Sequence, residues 1–188
     1  MNPKKIKISS IFFLLFITAN FALQISADEY KKITVCFYDA GCFSVDSEKK
    51  DKDAIANMFL NISPDILLLA GIKEKSVLEI FKQNLNPANF AEIVEAEDKE
   101  RHLAIVSKIK PAKFISITDQ KYSINNTELP VKRGFMHCAF NIDGYLLHIV
   151  AAHLQEREKV EGFNQTDMRR YEARLLRYYV NSIIKADS

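Results

Sequence analysis

The sequence has few cysteines, no long apolar run, no basic stripe and no internal repeat, and each lack removes a class of protein. Cys36, Cys42 and Cys138 have none of the spacings of a zinc knuckle, so a metal-ribbon module is excluded. In an oxidising compartment one pair could bridge and leave a single thiol; buried free thiols are the other reading. The longest apolar stretch, residues 11–23, falls short of the roughly 20 residues a bilayer-spanning helix needs, and Asn20 interrupts it. Neither a repeat nor a low-complexity tract nor a linker is found between Lys31 and Ile184, which excludes a solenoid and leaves one folded unit.

What the short apolar stretch does fit is a leader. Lys4, Lys5 and Lys7 precede it, and Ser26 and Ala27 follow it just before Asp28. That is the layout of a secretory signal peptide, so residues 1–27 are expected to be removed and residues 28–188 to form the domain. Secretion or a periplasmic location follows; Ile25 is bulky for the minus-three position, and an uncleaved leader would act as a membrane anchor instead. Removing residues 1–27 takes three lysines and no acids from 26 basic and 24 acidic groups, leaving a net charge of −1. The basicity therefore belongs to the leader. Proteins that grip nucleic-acid backbones usually carry a basic stripe, and none is visible here.

The domain reads as alternating strands and helices. Residues 32–38 are β-branched and aromatic and run into Asp39-Ala-Gly41, so a strand feeding a loop is expected. Ile55, Met58, Phe59 and Ile62 fall at i, i+3, i+4 and i+7 and predict a helix over residues 51–62. Residues 66–69 are wholly apolar, as in a strand buried on both faces. Ser76 with Glu79 predicts a capping box opening a helix that points Val77, Ile80, Phe81 and Leu85 one way. Strands are expected at residues 91–96, 102–107 and 113–118, and Asp143-Gly144 between two apolar runs predicts a hairpin. A last helix starts near Thr166 or Asp167 and carries Leu175, Leu176, Tyr179, Val180, Ile183 and Ile184 on one side. The composite is one α/β (α+β) unit with mixed sheets.

Four segments in order resemble the endonuclease/exonuclease/phosphatase (DNase-I-like) superfamily. Ile33-Thr-Val-Cys-Phe-Tyr-Asp39 is similar to the opening strand that ends in a metal-side Asn, and Pro64-Asp-Ile-Leu-Leu-Leu-Ala-Gly-Ile72 to the strand that closes on Gln-Glu and an aliphatic residue. His102-Leu-Ala-Ile-Val-Ser107 resembles the Gly-x-Ala-Ile-Leu-Ser strand, and Lys132-Arg-Gly134 leading to Ala151-Ala-His-Leu154 resembles the later Arg and Thr-His-Leu elements. Arg169-Arg-Tyr-Glu-Ala-Arg-Leu-Leu-Arg177 resembles the helix that follows. The resemblance implies a sandwich of mixed sheets flanked by helices. It also implies Mg²⁺-dependent hydrolysis of a phosphodiester or phosphomonoester, in which carboxylates hold the metal against a phosphate oxygen.

Mapped residue by residue, the resemblance makes His153 the candidate general acid or phosphate contact, Arg133 a phosphate contact and Asp39 a metal ligand. Without it, Asp39 reads as an Asx turn, Arg133 as a solvated turn residue, and His102 and His137 as structural; His148 and His153, five apart, point to opposite faces. The departures weigh more. Gly71 stands where the metal-binding Glu is expected and offers no side-chain oxygen to Mg²⁺, and Glu74, three residues on, is the one carboxylate placed to compensate. The family's later Gly-Asp-x-Asn and Ser-Asp-His elements do not occur before Ser188. The expectation is thus a truncated or inactive phosphoesterase, incomplete at its carboxy-terminal end, acting if at all on a phosphate ester. Its first sheet is expected to have an open inner face that a partner protein would cover. The alternative is a secreted, non-enzymatic binding module on the same scaffold.

Overall fold

The computed structural model describes residues 21–25, 32–47, 49–85, 90–157 and 160–186. Among them, ten strands and three α-helices follow one another as β1 (Phe21–Ile25), β2 (Ile33–Phe43), α1 (Lys49–Ile62), β3 (Ile66–Ile72), α2 (Leu78–Asn84), β4 (Phe90–Val94), β5 (His102–Ser107), β6 (Lys113–Ile117), β7 (Lys121–Ile124), β8 (Thr127–Pro130), β9 (Phe135–Ile142), β10 (Tyr145–Ala152) and α3 (Gln165–Ala186). A five-stranded sheet has the order β1-β2-β3-β5-β4, a three-stranded sheet β10-β9-β6, and β7-β8 form a small hairpin. Among the described residues only β2 and β3 pair in parallel; every other pair is antiparallel. The five-stranded sheet is mixed, as expected, and the other two are antiparallel.

Side chains alternate across each strand, and that alternation builds the layers. Leu67 and Leu69 of β3, with Ala104 and Val106 of β5, face α1 and α2 and pack on Phe59, Phe81 and Leu85. Ile66, Leu68, Ala70, Leu103 and Ile105 face the other way and meet Met136, Cys138 and Phe140 of β9. Beyond the second sheet, Phe135 and Ile117 pack with Met168 of α3 and Tyr122 of β7. The result is helices, sheet, sheet, helix, with β3 buried along its whole length.

The inner face expected to stand open is closed. The three-stranded sheet of the same chain covers it and completes a core between the sheets. The physical reason is the Asp143-Gly144 hairpin: both residues take positive φ, the two-residue turn folds β10 back on β9, and the apolar side of the pair lands on β3 and β5. Among the described residues the second sheet ends at β10 on one side and at β6 on the other.

Other expectations shift locally. No capping box forms: Lys75–Val77 make a 3-10 turn, Glu74 precedes it, and no side chain caps either this turn or α2. Ser76 is exposed and Glu79 pairs with Lys82 instead, while Val77, Phe81 and Leu85 are buried as the periodicity requires. The β7-β8 hairpin was not expected; its turn, Asn125-Asn126, has both residues at positive φ. The apolar side of α3 is buried at its start, through Met168 and Glu172, whereas Ile184 and Tyr178 are largely exposed. All three cysteines are free, with Cys36 and Cys138 buried and the latter thiol pushed up to about 12 by burial. Most of the expected leader lies outside the described residues; its residues 21–25 form β1 along the edge of β2.

Candidate functional site

β2 does not stop at Asp39. It runs on to Phe43, with a bulge: Asp39 pairs with Ala70 and Phe43 with Ile72, so three residues of β2 stand opposite Gly71 alone. Gly41, Cys42 and Gly71 all take positive φ there. A Cβ on Gly71 would lie 2.7 Å from the backbone nitrogen of Gly41, 3.0 Å from that of Cys42 and 3.1 Å from Asp39 Oδ1. The bulge of β2 therefore fills the space into which a side chain at position 71 would project. The glycine is thus a requirement of the local backbone as well as a missing ligand.

Asp39 is half-exposed, and its Oδ1 accepts a hydrogen bond from the Gly41 nitrogen at 3.0 Å, the Asx turn that its sequence position allows. Its Oδ2 lies 3.9 Å from His153 Nε2. His153 follows the end of β10, nine-tenths buried, with Nδ1 enclosed and without a hydrogen-bond partner and Nε2 3.1 Å from Glu156 Oε1. Arg133 is buried, not a solvated turn residue. Its Nε donates to Asp98 Oδ2 at 2.9 Å, and its Nη1 donates to the Leu154 carbonyl at 3.0 Å and lies 3.4 Å from Glu156 Oε1.

The structure thus brings Asp39, His153 and the Arg133 network to one end of the sandwich, and adds residues the sequence reading passed over. Glu156 receives Arg101 Nη1 on Oε2 at 2.6 Å, while Arg101 Nε lies 3.0 Å from Cys42 Sγ. The loop carrying His153 and Glu156 is tied to α3, because buried Glu172 accepts the Gln155 backbone nitrogen at 2.6 Å. Glu172 has a visible signal: it sits four residues after Met168, on the buried side of a helix where a carboxylate needs a donor. Asp98 and Arg101 have none, since Arg133 and Glu156, with which they pair, lie 35 and 55 positions away.

His137 and His148 also meet: His137 Nε2 and His148 Nδ1 are 2.8 Å apart across β9 and β10, and Tyr179 Oη lies 2.8 Å from His137 Nδ1. His102 is buried with Nδ1 3.1 Å from the Val94 carbonyl, a structural role.

The donor set does not fit Mg²⁺. A hard cation of this kind takes six oxygens at about 2.1 Å. Asp39 offers one carboxylate already engaged in its turn, position 71 has no room for another, and Glu74 Oε1 is held by the Val45 nitrogen at 2.6 Å. Among the described residues no group of three His, Cys, Asp or Glu could hold a metal ion. A cleft of about 310 Å³ between β2 and α1 is lined by Tyr38, Gly41, Cys42, Phe43 and Ile55, and neither His153 nor Arg133 lines it.

Burial, reinforced by the charge of Arg133, holds the His153 imidazole below its ordinary value of 6.5, outweighing Asp39 and Glu156. The unfolded chain then takes up this proton first. The stability contribution is complete above about pH 6.5 and is lost as pH falls through the depressed folded value. Between pH 7.5 and 5.5 the native chain is expected to lose more of its urea-unfolding midpoint than a His153→Gln variant does; equal losses would refute this role for His153.

No family model and no curated protein matches the chain. Solved structures do. It is similar to TDP2 from Caenorhabditis elegans, with a TM-score of 0.58 at 19% identity, covering 86% of this chain and 46% of that one. It is similar to sphingomyelinase C from Streptomyces griseocarneus, with a TM-score of 0.59 at 14% identity, over 79% of this chain and 58% of that one. SmcL gives a TM-score of 0.56 at 14% identity, over 83% and 59%. The chain spans about half the length of these structures. With the layered sheets, the order of its elements and these likenesses together, the chain has the DNase-I-like fold, in part.

Proposed function

We propose that the chain is a degenerate phosphoesterase-type protein, which retains a cationic phosphate-facing corner of the fold but, as it stands, neither holds the catalytic Mg²⁺ nor hydrolyses a phosphate ester. The observation that carries this is the packing around Gly71. A Cβ at the position expected to supply the metal-binding carboxylate would lie 2.7 Å from the Gly41 nitrogen and 3.0 Å from that of Cys42, which supports loss of the cage through the backbone as well as through one exchanged side chain. Arg133, His153 and Arg101 support the phosphate half of the reading, because they gather positive and polar groups around one carboxylate at the sheet end. The substrate class of the ancestral site is a phosphate ester, and secretion through residues 1–27 belongs to the same reading.

The experiment is a thermal melt of the chain with and without Mg²⁺, alongside an assay on a chromogenic phosphodiester and a phosphomonoester. A metal that binds only the folded state raises the melting temperature by mass action. Millimolar Mg²⁺ is expected to leave the midpoint unmoved and both esters intact. A Mg²⁺-dependent rise that Asp39→Ala abolishes, or turnover that requires the metal, overturns the proposal.

A further inference from the structure

Three cationic or proton-donating groups from separate parts of the chain converge on a single carboxylate. Glu156 Oε2 takes Arg101 Nη1 at 2.6 Å; Glu156 Oε1 has His153 Nε2 at 3.1 Å and Arg133 Nη1 at 3.4 Å. Arg101 immediately precedes β5, Arg133 precedes β9, and His153 and Glu156 share the loop after β10. Neither arginine is solvated at large: Arg133 has 5% and Arg101 22% of its side chain exposed, while Glu156 retains 36%. A guanidinium pair and an imidazole placed around two oxygens is the arrangement that recognises a tetrahedral oxyanion.

We infer that Glu156 is the resident occupant of an anion-binding site, filling with its own carboxylate the place where a phosphate group would be bound by Arg101, Arg133 and His153. Glu156 is tethered three residues from His153, in a loop fixed to α3 by Glu172 and Gln155. A tethered ligand competes at an effective concentration on the order of millimolar, with little entropy left to lose. Free phosphate must therefore displace it to enter. Asp98 is not part of the occupant, since it engages Arg133 through Nε and leaves Nη1 for the Leu154 carbonyl and Glu156. Asp39 opposes an incoming anion, with Oδ2 3.9 Å from His153 Nε2, and sets a ceiling on affinity. The ligand is a phosphate group, either the free anion or the headgroup of a monoester.

This inference rests on the reading that this corner of the fold faces phosphate, and its test uses no metal, so the two can fail separately. Inorganic phosphate and phenyl phosphate are titrated into the full chain, into Glu156→Ala and into Glu156→Gln in Mg²⁺-free buffer of constant ionic strength, followed by ³¹P line broadening and by melting temperature. Glu156→Ala is expected to bind phosphate at least about tenfold more tightly than the native chain, with Glu156→Gln between them because it gives up the charge but keeps the shape. Preference for phenyl phosphate over inorganic phosphate identifies an ester headgroup as the ligand, and the reverse identifies the free anion. Adding Arg101→Gln to Glu156→Ala is expected to remove the gain. Glu156→Gln carries the test if Glu156→Ala does not fold. Native and variant chains binding equally, neither binding, or a gain that survives Arg101→Gln each overturn the inference.

Discussion

Restoring the expected metal ligand by Gly71→Glu is expected to destabilise the chain by about 3 kcal/mol and to gain no Mg²⁺ binding. The first contribution is conformational: Gly71 has φ +70, and a left-handed backbone costs a residue with a Cβ about 1–2 kcal/mol. The second is steric, since the Cβ would meet the backbone nitrogen of Gly41 at 2.7 Å, and backbone cannot swing aside as a flexible side chain can; such overpacking adds about 1–3 kcal/mol. Both contributions arise at Cβ, before any carboxylate is placed. Gly71→Ala is therefore expected to cost nearly as much as Gly71→Glu. Urea unfolding of the two variants, with and without Mg²⁺, separates this account from one in which glycine is only a lost ligand. In that case Gly71→Ala would be mild and Gly71→Glu would be rescued by the metal.

The same position shows where sequence reading reaches its limit. The absence of a carboxylate at Gly71 is legible in one letter, but the reason nothing larger fits is the bulge of β2, and a bulge leaves the period-2 pattern of its strand nearly intact. Where a signal is local and periodic, it carries through. Ile55 and Phe59 lie on the buried side of α1, all of β3 is buried, and Asp143-Gly144 turns β9 into β10. Ser76 and Glu79 fail as a capping box because the burial of Val77 and Leu78 sets where the chain turns, and a short 3-10 turn accommodates that without a side-chain cap. The Asn125-Asn126 turn was readable in retrospect, since asparagine tolerates positive φ.

Closure of the inter-sheet core was not legible, because the hairpin that supplies it belongs to a second sheet whose packing partners lie far off in sequence. The same is true of the charged network: Arg101 meets Glu156 across 55 residues and Arg133 meets Asp98 across 35. Periodicity and turn chemistry carry no information about pairs at that separation. The resemblance singled out His153, Arg133 and Asp39 as site residues, and Asp98 and Arg101, which complete their network, lie too far off in sequence to be read from it.

Among those partners, Asp98 makes Arg133 the most consequential side chain of the network. Arg133→Met is expected to lower stability by about 3 kcal/mol, because removing one member of a buried ion pair strands the other. The lower end of the usual range applies, since Asp98 keeps 18% and Glu156 36% of its side chain in contact with water. Lysine is expected to recover only part of the loss: a point charge cannot offer one nitrogen to Asp98 and another to the Leu154 carbonyl, as the guanidinium does at 2.9 and 3.0 Å. The pH dependence gives an independent check. Burial alone would raise the Asp98 carboxyl above its ordinary 3.8, but the hydrogen bond and charge of Arg133, with the Glu100 backbone, bring it below. Its contribution is therefore present above pH 3.8 and is lost as pH falls through the lower folded value. Without Arg133 the balance tips toward burial, the folded carboxyl holds its proton more strongly, and that acid-side loss disappears. Urea midpoints from pH 7 to pH 3 are expected to fall steeply for the native chain and more gently, from a lower start, for Arg133→Met; parallel curves would mean that Asp98 and Arg133 are neighbours without being energetically coupled.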